Sequence, residues 1–317
     1  MEERRHPSIN ARGARITQRV RSFQRRLNRL SEQSFAYLLL SPTIIILVLL
    51  GVFPVLYSFG LSFFKYRLNV ARPPVFVGLA NYGRMLTDPD FWSSIVKALY
   101  FTVLMVSLTV ILALIVALLL NQNLKGKTFY LAALLIPWAV PKVVGGLIWK
   151  WIYDGNYGIL NAIAVKLGLI KQYQWWFVRS PVLALSLIVM VEVWRSIPFA
   201  AVLLYAALNN IPSHLYRAAH IDGANAWQRF RFVTLPGIKY VLMVVLILQT
   251  TWALKTFDTI YILTSGGPGT STMVTYFYVY RNAFDYLDIG YGSALAYTLA
   301  MLVLGLAIIY KRALRKT

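Results

Sequence analysis

The sequence predicts an all-α protein that crosses a lipid bilayer six times, and three observations support this fold class. Hydrophobic residues make up 58% of the 317 residues and charged residues 14%, against about 45–50% and 25% in soluble domains. Six apolar stretches each reach the roughly 20 residues that a helix needs to cross the hydrocarbon core. Lysine and arginine concentrate in alternate loops, which is the pattern of loops that share the cytoplasmic side.

Residues 1–34 form a basic segment ahead of the first span. It carries nine arginines, and Val20, Phe23, Leu27 and Leu30 recur at steps of three and four, which places them on one helical face. The pattern predicts a basic amphipathic helix on the cytoplasmic membrane surface. A disordered basic tail and a mitochondrial transit peptide have a similar composition. We expect no cleavable secretion signal before the first span.

The six predicted spans lie within residues 35–310, and a basic tail, 311–317, follows them. Several spans contain proline or glycine, which a membrane helix tolerates where it faces another helix or a cavity. The predicted spans are Phe35–Phe64, Ile95–Leu120, Phe129–Ile152, Val182–Leu208, Ile238–Leu263 and Tyr291–Tyr310.

The distribution of positive charge gives these spans a direction. An even number of spans places both termini on one side, and the termini and loops of that side carry nineteen Lys and Arg, against nine on the other. Because positive charge marks the cytoplasmic side, both termini are predicted to be cytoplasmic. The net charge of +21 is then mostly a topology signal, so membrane lipid is an expected partner and nucleic acid is not.

The cytoplasmic loop 209–237 holds the most informative pattern in the chain. Ser213 is placed to cap a short helix, and Gly223 permits a sharp turn without a Cβ penalty. Ala218 and Ala219 are small, so another backbone can approach them closely. Two short helices joined at a glycine are predicted to form a rigid projection, which a membrane protein needs if it receives force from a soluble partner.

The spacing within this loop resembles a known family. Ala218-Ala219, Gly223 four residues on, and Leu235-Pro236 match the Glu-Ala-Ala signature of the permeases of binding-protein-dependent ABC importers. In that family the loop is a cytoplasmic coupling helix that docks on the ATPase subunit, and the fold is a six-helix type I ABC importer permease bundle. The ATPase-coupling residues that the resemblance implies here are Arg217, Ala218, Ala219, Asp222, Gly223, Leu235 and Pro236.

Arg217 departs from the family pattern, which usually has glutamate at this position. The charge that this chain presents to the ATPase at this position would therefore be positive instead of negative. We predict an acidic or neutral residue opposite Arg217 on the partner.

Other stretches resemble the first-permease type of the maltose and glycerol-phosphate importers. They include Phe76–Tyr82, Ile136-Pro137-Trp138, Pro198-Phe199 and the loop Leu263–Gly269. Gly266, Gly267 and Pro268 in that loop are typical of this type, and the resemblance implies that they line the outer mouth of the pathway. The similarity covers roughly residues 35–310, and therefore implies a protein of the bacterial inner membrane.

The same resemblance implies a set of partners. These are a second permease subunit in a heterodimer, an extracytoplasmic solute-binding protein, and an ATPase dimer. ATP and Mg²⁺ would be bound by the ATPase subunits, and no cofactor or metal is expected on this chain. The solute is expected to be a sugar-like small molecule.

Five ionisable residues lie well inside the predicted spans, where each costs about 2.5–3.5 kcal/mol, whereas Lys97 lies nearer an edge and can extend its ammonium group to the interface. Glu192 with Arg195, and Lys255 with Asp258, stand three residues apart and are predicted to pair within their helices. The alternative is that these charges line the substrate path. Lys142 has no local partner, and an excess cation of this kind would suit a sugar that bears an acidic group.

Aromatic side chains in the spans are further candidates, because sugar rings stack on indole and phenol groups. Trp and Tyr are also enriched at membrane interfaces, which is the alternative for each of them. The predicted substrate-path residues are Lys142, Glu192, Trp194, Arg195, Phe199, Trp252, Lys255, Asp258, Tyr261 and Tyr276.

The sequence therefore favours one permease half of an ATP-driven sugar importer, a transport subunit rather than an enzyme. A secondary transporter or channel driven by an ion gradient is the alternative, but no internal repeat is evident and the cytoplasmic loop would be unexplained. A membrane enzyme is disfavoured, because no span carries a nucleophile–base or metal-ligand cluster. The chain has no cysteine, which excludes disulfides, thiolate metal sites and a cysteine nucleophile.

Overall fold

A computed structural model describes residues 31–315 of the chain. The predicted amphipathic helix and the last two residues of the basic tail lie outside the described residues. The described chain divides into two compact units between Gly60 and Leu61. Its α-helices are numbered from α1, and β-structure within residues 31–315 is confined to one short hairpin.

The first unit is an apolar helical segment. It comprises α1 (Glu32–Leu47), the π-helical turn Val48–Val52 and the first part of α2 (Phe53–Leu61). Ser31 caps α1 by accepting a hydrogen bond from the backbone amide of Ser34, at 3.3 Å. Large apolar side chains along the segment are exposed, as expected of a helix whose solvent is lipid.

The second unit holds the remaining elements. The hairpin strands β1 (Phe64–Lys65) and β2 (Val75–Phe76) pair antiparallel, with Phe64 opposite Phe76. After the hairpin the helices follow one another through short loops. They are α3 (Ala80–Thr87), α4 (Pro89–Leu120), α5 (Lys127–Ala139), α6 (Lys142–Ile152), α7 (Ile159–Lys166), α8 (Trp176–Arg179), α9 (Pro181–Asn209), α10 (Ser213–Ile221), α11 (Ala226–Arg229), α12 (Leu235–Leu254), α13 (Asp258–Leu263), α14 (Thr275–Tyr280) and α15 (Ile289–Arg315).

The predicted fold class is confirmed. Within residues 31–315, five helical segments are long and apolar enough to cross a membrane, and there are six when the bent pair α5–α6 is counted as one span. The continuous segments are Ala36–Leu61, Pro89–Leu120, Pro181–Asn209, Ala226–Leu254 and Ile289–Tyr310.

The third span is broken, where the sequence predicts one continuous helix. α5 and α6 meet at 91° across Val140 and Pro141. Pro141 has no amide hydrogen to donate to the carbonyl of Pro137, one turn earlier, and its ring clashes with that carbonyl. The chain therefore leaves the helix at Val140 and starts again at Lys142.

The fifth span is displaced relative to the predicted Ile238–Leu263. Its helix begins at Ala226 and runs through the π-helical turn Phe230–Thr234 into α12. A π turn is wider than an α turn, and this one precedes Pro236, which cannot donate a helical hydrogen bond. The helix ends at Leu254, so Lys255 and Asp258 flank a break instead of lying inside the span.

The two long helices α4 and α9 form the centre of the second unit. Phe101 and Met105 from the early turns of α4 share one buried cluster with Ile188 of α9. Later turns form an alanine-rich cluster that includes Ala113 and Ala200. Because early turns pack with early turns, the two helices run in parallel. We call the end where they begin the hairpin end, and the end where they finish the α10 end.

The hairpin is fastened to the start of α15. The amide of Leu68 donates to the carbonyl of Leu287 at 2.9 Å, and the amide of Gly290 donates to the carbonyl of Tyr66 at 3.1 Å. Gly290 lies against the backbone of β1, and a Cβ atom there would overlap the carbonyl oxygen of Phe64. Backbone cannot move aside as a flexible side chain can, so only glycine fits this contact.

Gly290→Ala is therefore expected to destabilise the folded protein by about 1–3 kcal/mol or more, the cost of overpacking a close contact. The matched control is Gly305→Ala on the same helix, because nothing lies within 4 Å of an added Cβ there. The control is expected to be neutral or slightly stabilising, since alanine is the better helix former. The thermal midpoints of the two purified variants test this, and equal midpoints would contradict it.

Candidate functional site

The loop between α9 and α12 forms a braced projection at the α10 end. α10 carries the predicted coupling residues Arg217, Ala218 and Ala219. The hydroxyls of Tyr216 in α10 and Thr234 in the π-helical turn are hydrogen-bonded at 3.0 Å. This hydrogen bond ties α10 to the start of the fifth span, so force applied to α10 is transmitted to a membrane helix.

Gly223 makes the turn that separates α10 from α11, with a φ of +74°. An L residue rarely adopts this φ, which explains why glycine is required. Asn225 and Gln228 then form a capping box, with hydrogen bonds of 2.9 and 2.7 Å to each other's backbone amides. The predicted short helix before Gly223 is confirmed as α10, whereas the predicted second short helix, α11, is the first turn of the fifth span.

The start of α10 differs from the prediction. Pro212, not Ser213, precedes the first helical residue, and it makes no side-chain cap. The Ser213 hydroxyl instead accepts a hydrogen bond from Nη1 of Arg217 at 3.0 Å. The proline fixes the backbone ahead of the helix, so a hydroxyl cap is not used.

The predicted coupling residues are accessible to a partner. Arg217, Ala218, Asp222 and Gly223 are exposed, and Ala219 is half-buried. Leu235 and Pro236 are exposed in the first turn of α12. Large apolar side chains surround them and are also exposed; these are Leu215, Ile221, Trp227 and Phe232. The projection therefore offers exposed apolar side chains together with two exposed guanidinium groups, those of Arg217 and Arg231.

The breaks in the third and fifth spans face each other. Lys142, the first residue of α6, forms an ion pair of 3.4 Å with Asp258, the first residue of α13. Lys142 has no partner nearby in the sequence, as predicted, but it has one across the fold, and the predicted pair of Lys255 with Asp258 is wrong. The helix turns from α12 into α13 between these two residues, and Asp258 is carried towards α6.

A stack of three aromatic rings lies beside the two breaks. Trp138 of α5 and Phe199 of α9 stack with centroids 5.8 Å apart, and Phe199 and Trp252 of α12 lie 5.1 Å apart. Trp138 and Trp252 are each within three residues of a break in their own span. We call Trp138, Phe199, Trp252, Lys142 and Asp258 the helix-break site.

Trp138 is not among the path residues predicted from the sequence. Its only local signal is the run Ile136-Pro137-Trp138, in which a proline near an aromatic residue marks a bend. The packing against Phe199, 61 positions away in the chain, is what brings Trp138 into this site.

Glu192 and Arg195 form the predicted pair within α9, at 3.0 Å, and this prediction is confirmed. Glu192 is almost fully buried, with 3% of its side chain exposed, and Arg195 has 15% exposed. The hydroxyl of Thr259 on α13 also donates to the Glu192 carboxylate. This buried network joins the centre of the unit to the helix that carries Asp258.

The other aromatic candidates gather elsewhere. Tyr261 and Tyr276 lie around Phe257, with centroid distances to its ring of 5.5 and 6.4 Å. Trp194 packs edge-on against Trp149 at 5.7 Å. The predicted path residues thus divide into the helix-break site, the buried network of Glu192, the cluster around Phe257, the pair of Trp194 with Trp149, and Lys255.

The loop Gly266–Thr272 is a tight turn at the hairpin end. Thr272 closes it with two hydrogen bonds, from its amide to the carbonyl of Gly266 at 3.2 Å and from its hydroxyl to the carbonyl of Gly267 at 3.0 Å. The peptide bond between Gly267 and Pro268 is cis. The place of this loop at the outer mouth of the pathway stays a prediction.

Asp88 sits in a polar network at the hairpin end. Its carboxylate accepts hydrogen bonds from the hydroxyls of Tyr278 at 2.5 Å and Tyr291 at 2.6 Å. Burial acts to raise the pKa of Asp88, but these bonds and those from the backbone amides of Asp90 and Phe91 outweigh it and hold the pKa below 3.8. Burial, and then the bond to Asp88, raises the pKa of Tyr278 to about 12.

A pH dependence of stability follows from the lowered pKa of Asp88. The charged carboxylate stabilises the folded state fully above the unfolded pKa, 3.8, and this stabilisation is lost as the pH falls through the lower folded pKa. Thermal midpoints of the wild type and Asp88→Asn are expected to differ at pH 7 and to converge as the pH falls through the folded pKa, which lies below 3.8. A difference that stays constant across this range would contradict the assignment. Tyr291→Phe, which removes one donor, is expected to reduce the difference.

Three comparisons place the chain among known proteins. The family described as "Binding-protein-dependent transport system inner membrane component" matches residues 109–313. The chain is 40% identical to the trehalose/maltose transport system permease protein MalF of Thermococcus litoralis, over 88% of this chain and 93% of that protein. It is 38% identical to the sulfoquinovosyl glycerol transport system permease protein SmoG of Agrobacterium fabrum, over 90% and 92%.

A solved structure has the same fold. A chain of a bacterial ABC transporter involved in the import of the acidic polysaccharide alginate superposes with a TM-score of 0.75, at 21% identity, over 89% of this chain and 95% of that one.

Proposed function

The chain belongs to the family of binding-protein-dependent transport system inner membrane components, and we propose that it forms half of the translocation pathway for a sugar or sugar derivative. Members of this family are permease subunits of ABC importers, multi-pass proteins of the inner membrane whose ATPase is a separate subunit. The braced projection formed by α10 is the observation that carries the proposal, since a permease without its own nucleotide site must receive force from outside.

The proposed complex contains four kinds of subunit. A second permease completes the pathway, two ATPase subunits bind ATP and Mg²⁺ and contact α10, and an extracytoplasmic binding protein delivers the solute at the hairpin end. An alginate importer related in fold has been solved in complex with an alginate pentasaccharide-bound periplasmic protein. The excess of Lys and Arg in the N-terminus and the loop 209–237 supports a cytoplasmic position for both termini and for α10.

Docking on α10 is proposed to use its exposed apolar surface together with Arg217. Arg217 is exposed and, within residues 31–315, its guanidinium hydrogen-bonds only to Ser213, so its remaining donors are available. An acidic or neutral ATPase residue is proposed opposite Arg217. A cross-link that places an Arg or Lys of the ATPase there would contradict this contact.

The helix-break site is proposed to contact the solute. Broken helices at membrane depth expose backbone groups and fixed charges to a polar ligand, and the adjacent stack of rings suits the apolar face of a sugar. Asp258 neutralises Lys142, so this site carries no surplus cation and the proposal does not require an acidic group on the solute. The permease relatives named for trehalose/maltose and for sulfoquinovosyl glycerol support a sugar as the solute class.

The energy source tests the proposed function. The complex in liposomes, given its binding protein and the solute that this protein retains, is expected to accumulate solute only when ATP is enclosed with the ATPase subunits. A proton or sodium gradient without ATP is expected to drive no uptake of the solute. Uptake driven by an ion gradient without ATP would overturn the proposal in favour of a secondary transporter.

Phe199→Ala removes the middle ring of the stack and is expected to lower the rate of uptake roughly tenfold. The lost aromatic contact contributes about 1.4 kcal/mol, which corresponds to a factor of ten. Phe129→Ala is the matched control, because Phe129 is exposed in the first turn of α5, outside the helix-break site. Initial rates of uptake at equal membrane levels measure both variants. An unchanged rate for Phe199→Ala would remove the ring from the solute path.

A further inference from the structure

A crevice of about 460 Å³ opens between α12, α14 and α15. Three of the side chains that line it have polar groups; they are Thr251, Lys255 and Tyr276. The α15 wall is apolar and includes Ala296, Ala300 and Leu304. The crevice is thus an apolar cleft with one cation at its edge, and it is not part of the helix-break site.

Among the charged residues at the two helix breaks, Lys255 is the one that has no counter-charge within residues 31–315. Within residues 31–315, no carboxylate lies within 4 Å of the Lys255 ammonium. Asp258, the nearest carboxylate in sequence, is bound to Lys142, and Glu192 is bound to Arg195. The two anions near the breaks are therefore both occupied, and the Lys255 side chain is exposed towards the crevice.

The position of the crevice along α15 places it inside the membrane. At 1.5 Å per residue, its wall extends from about 10 Å (Ala296) to about 27 Å (Ala307) beyond Ile289, where the last span begins. Thr250 bonds to Tyr310 at 3.1 Å near the other end of that span, and Lys255 is five residues further towards the hairpin end. A cation at this depth needs a partner.

The chemistry of the cleft excludes two kinds of occupant. A sugar would leave most of its hydroxyls unpaired against the alanine and leucine side chains, which is costly. A lipid phosphate lies at the membrane surface, roughly 15 Å from the centre of the hydrocarbon core. A helix fits, because small residues such as Ala296 and Ala300 let another backbone approach closely in a membrane.

We infer that this crevice receives a transmembrane helix of the second permease subunit, which places an Asp or Glu carboxylate against Lys255. The inference rests on the proposed function, since it requires a permease pair. Lys255 is thereby assigned to subunit pairing and not to the substrate path that was predicted for it from the sequence.

Charge reversal tests the ion pair. Lys255→Glu is expected to reduce the second permease recovered with the tagged chain at least about tenfold, and an Asp or Glu→Lys change on one partner helix is expected to restore it. Lys255→Met keeps the shape of the side chain, leaves the partner carboxylate unpaired, and is expected to give a smaller loss. Lys166→Glu, at the end of α7, is the matched control and is expected to leave recovery unchanged.

Cysteine cross-linking tests the contact in the wild-type charge state. Because the chain contains no cysteine, Ala300→Cys introduces a single thiol in the crevice wall. It is expected to form a disulfide with a cysteine placed near the partner's carboxylate. Leu302→Cys is the control, since Leu302 is exposed on α15 but does not line the crevice.

The outcomes separate the two proposals. If the wild-type chain recovers no second permease and transports without ATP, the proposed function fails. If the permease pair forms normally but no partner charge reversal rescues Lys255→Glu, only the inference fails. An unchanged pair in Lys255→Met, together with a raised KM for an acidic sugar, would overturn the inference and assign Lys255 to the solute.

Discussion

The substitution Ala218→Arg in α10 is expected to abolish ATP-driven uptake while the chain still inserts into the membrane. Ala218 is exposed on the projection beside Arg217, so a long cationic side chain there is accommodated by the free chain. In the complex it would hold the ATPase away from α10. Loss of a central contact in an interface costs about 2 kcal/mol or more, roughly 30-fold in Kd.

Two measurements check this expectation. The amount of ATPase recovered with the tagged permease is expected to fall, and solute uptake with it. Ala162→Arg provides the same chemical change on an exposed residue of α7, and ATPase recovery is expected to stay at the wild-type level. Normal ATPase recovery and uptake in Ala218→Arg would show that α10 is not the docking element.

The substitution Glu192→Gln is expected to lower the free energy of unfolding by about 3–5 kcal/mol, the cost of leaving one charge of a buried pair without its partner. Arg195 has 15% of its side chain exposed, so water replaces the lost carboxylate only in part. For a domain of this size the change corresponds to a fall of roughly 6–20 °C in the thermal midpoint.

A second variant separates charge from packing. Adding Arg195→Met to Glu192→Gln removes the unpaired cation, and most of the lost stability is expected to return. Asp285→Asn is the control, because Asp285 pairs with Arg281 at 3.4 Å with 46% of its side chain exposed. Such a pair contributes at most about 1 kcal/mol. Equal midpoints for Glu192→Gln and Asp285→Asn would contradict the buried role of Glu192.

Features that depend only on residues close to one another in the sequence could be predicted without the structure. A span needs only enough apolar residues in a row to cross the hydrocarbon core, and the pair Glu192–Arg195 needs only a three-residue step on one helix. The turn at Gly223 likewise depends on the φ of a single residue. Because the turn at Gly223 is a local feature, a projection in the loop 209–237 could be predicted without knowledge of the hydrogen bonds that brace it.

The helix breaks could be predicted only in part. Pro141 ends α5, whereas Pro198 lies inside the continuous helix α9, where it is buried. The break after Leu254 occurs at Lys255-Thr256-Phe257, which contains neither proline nor glycine. Whether a helix continues past such residues depends on the packing around it, and local propensity does not contain that information.

From the sequence alone we could predict six apolar spans, a direction for them and the turn at Gly223, because each depends on chain length, charge count or local backbone preference. Only the tertiary structure decided which charges meet. Lys142 and Asp258 are 116 positions apart and Asp88 and Tyr291 are 203 apart, and folding brings each pair within bonding distance. Lys255 does not pair with Asp258, three residues away, because Asp258 turns with α13 towards Lys142 at the start of α6.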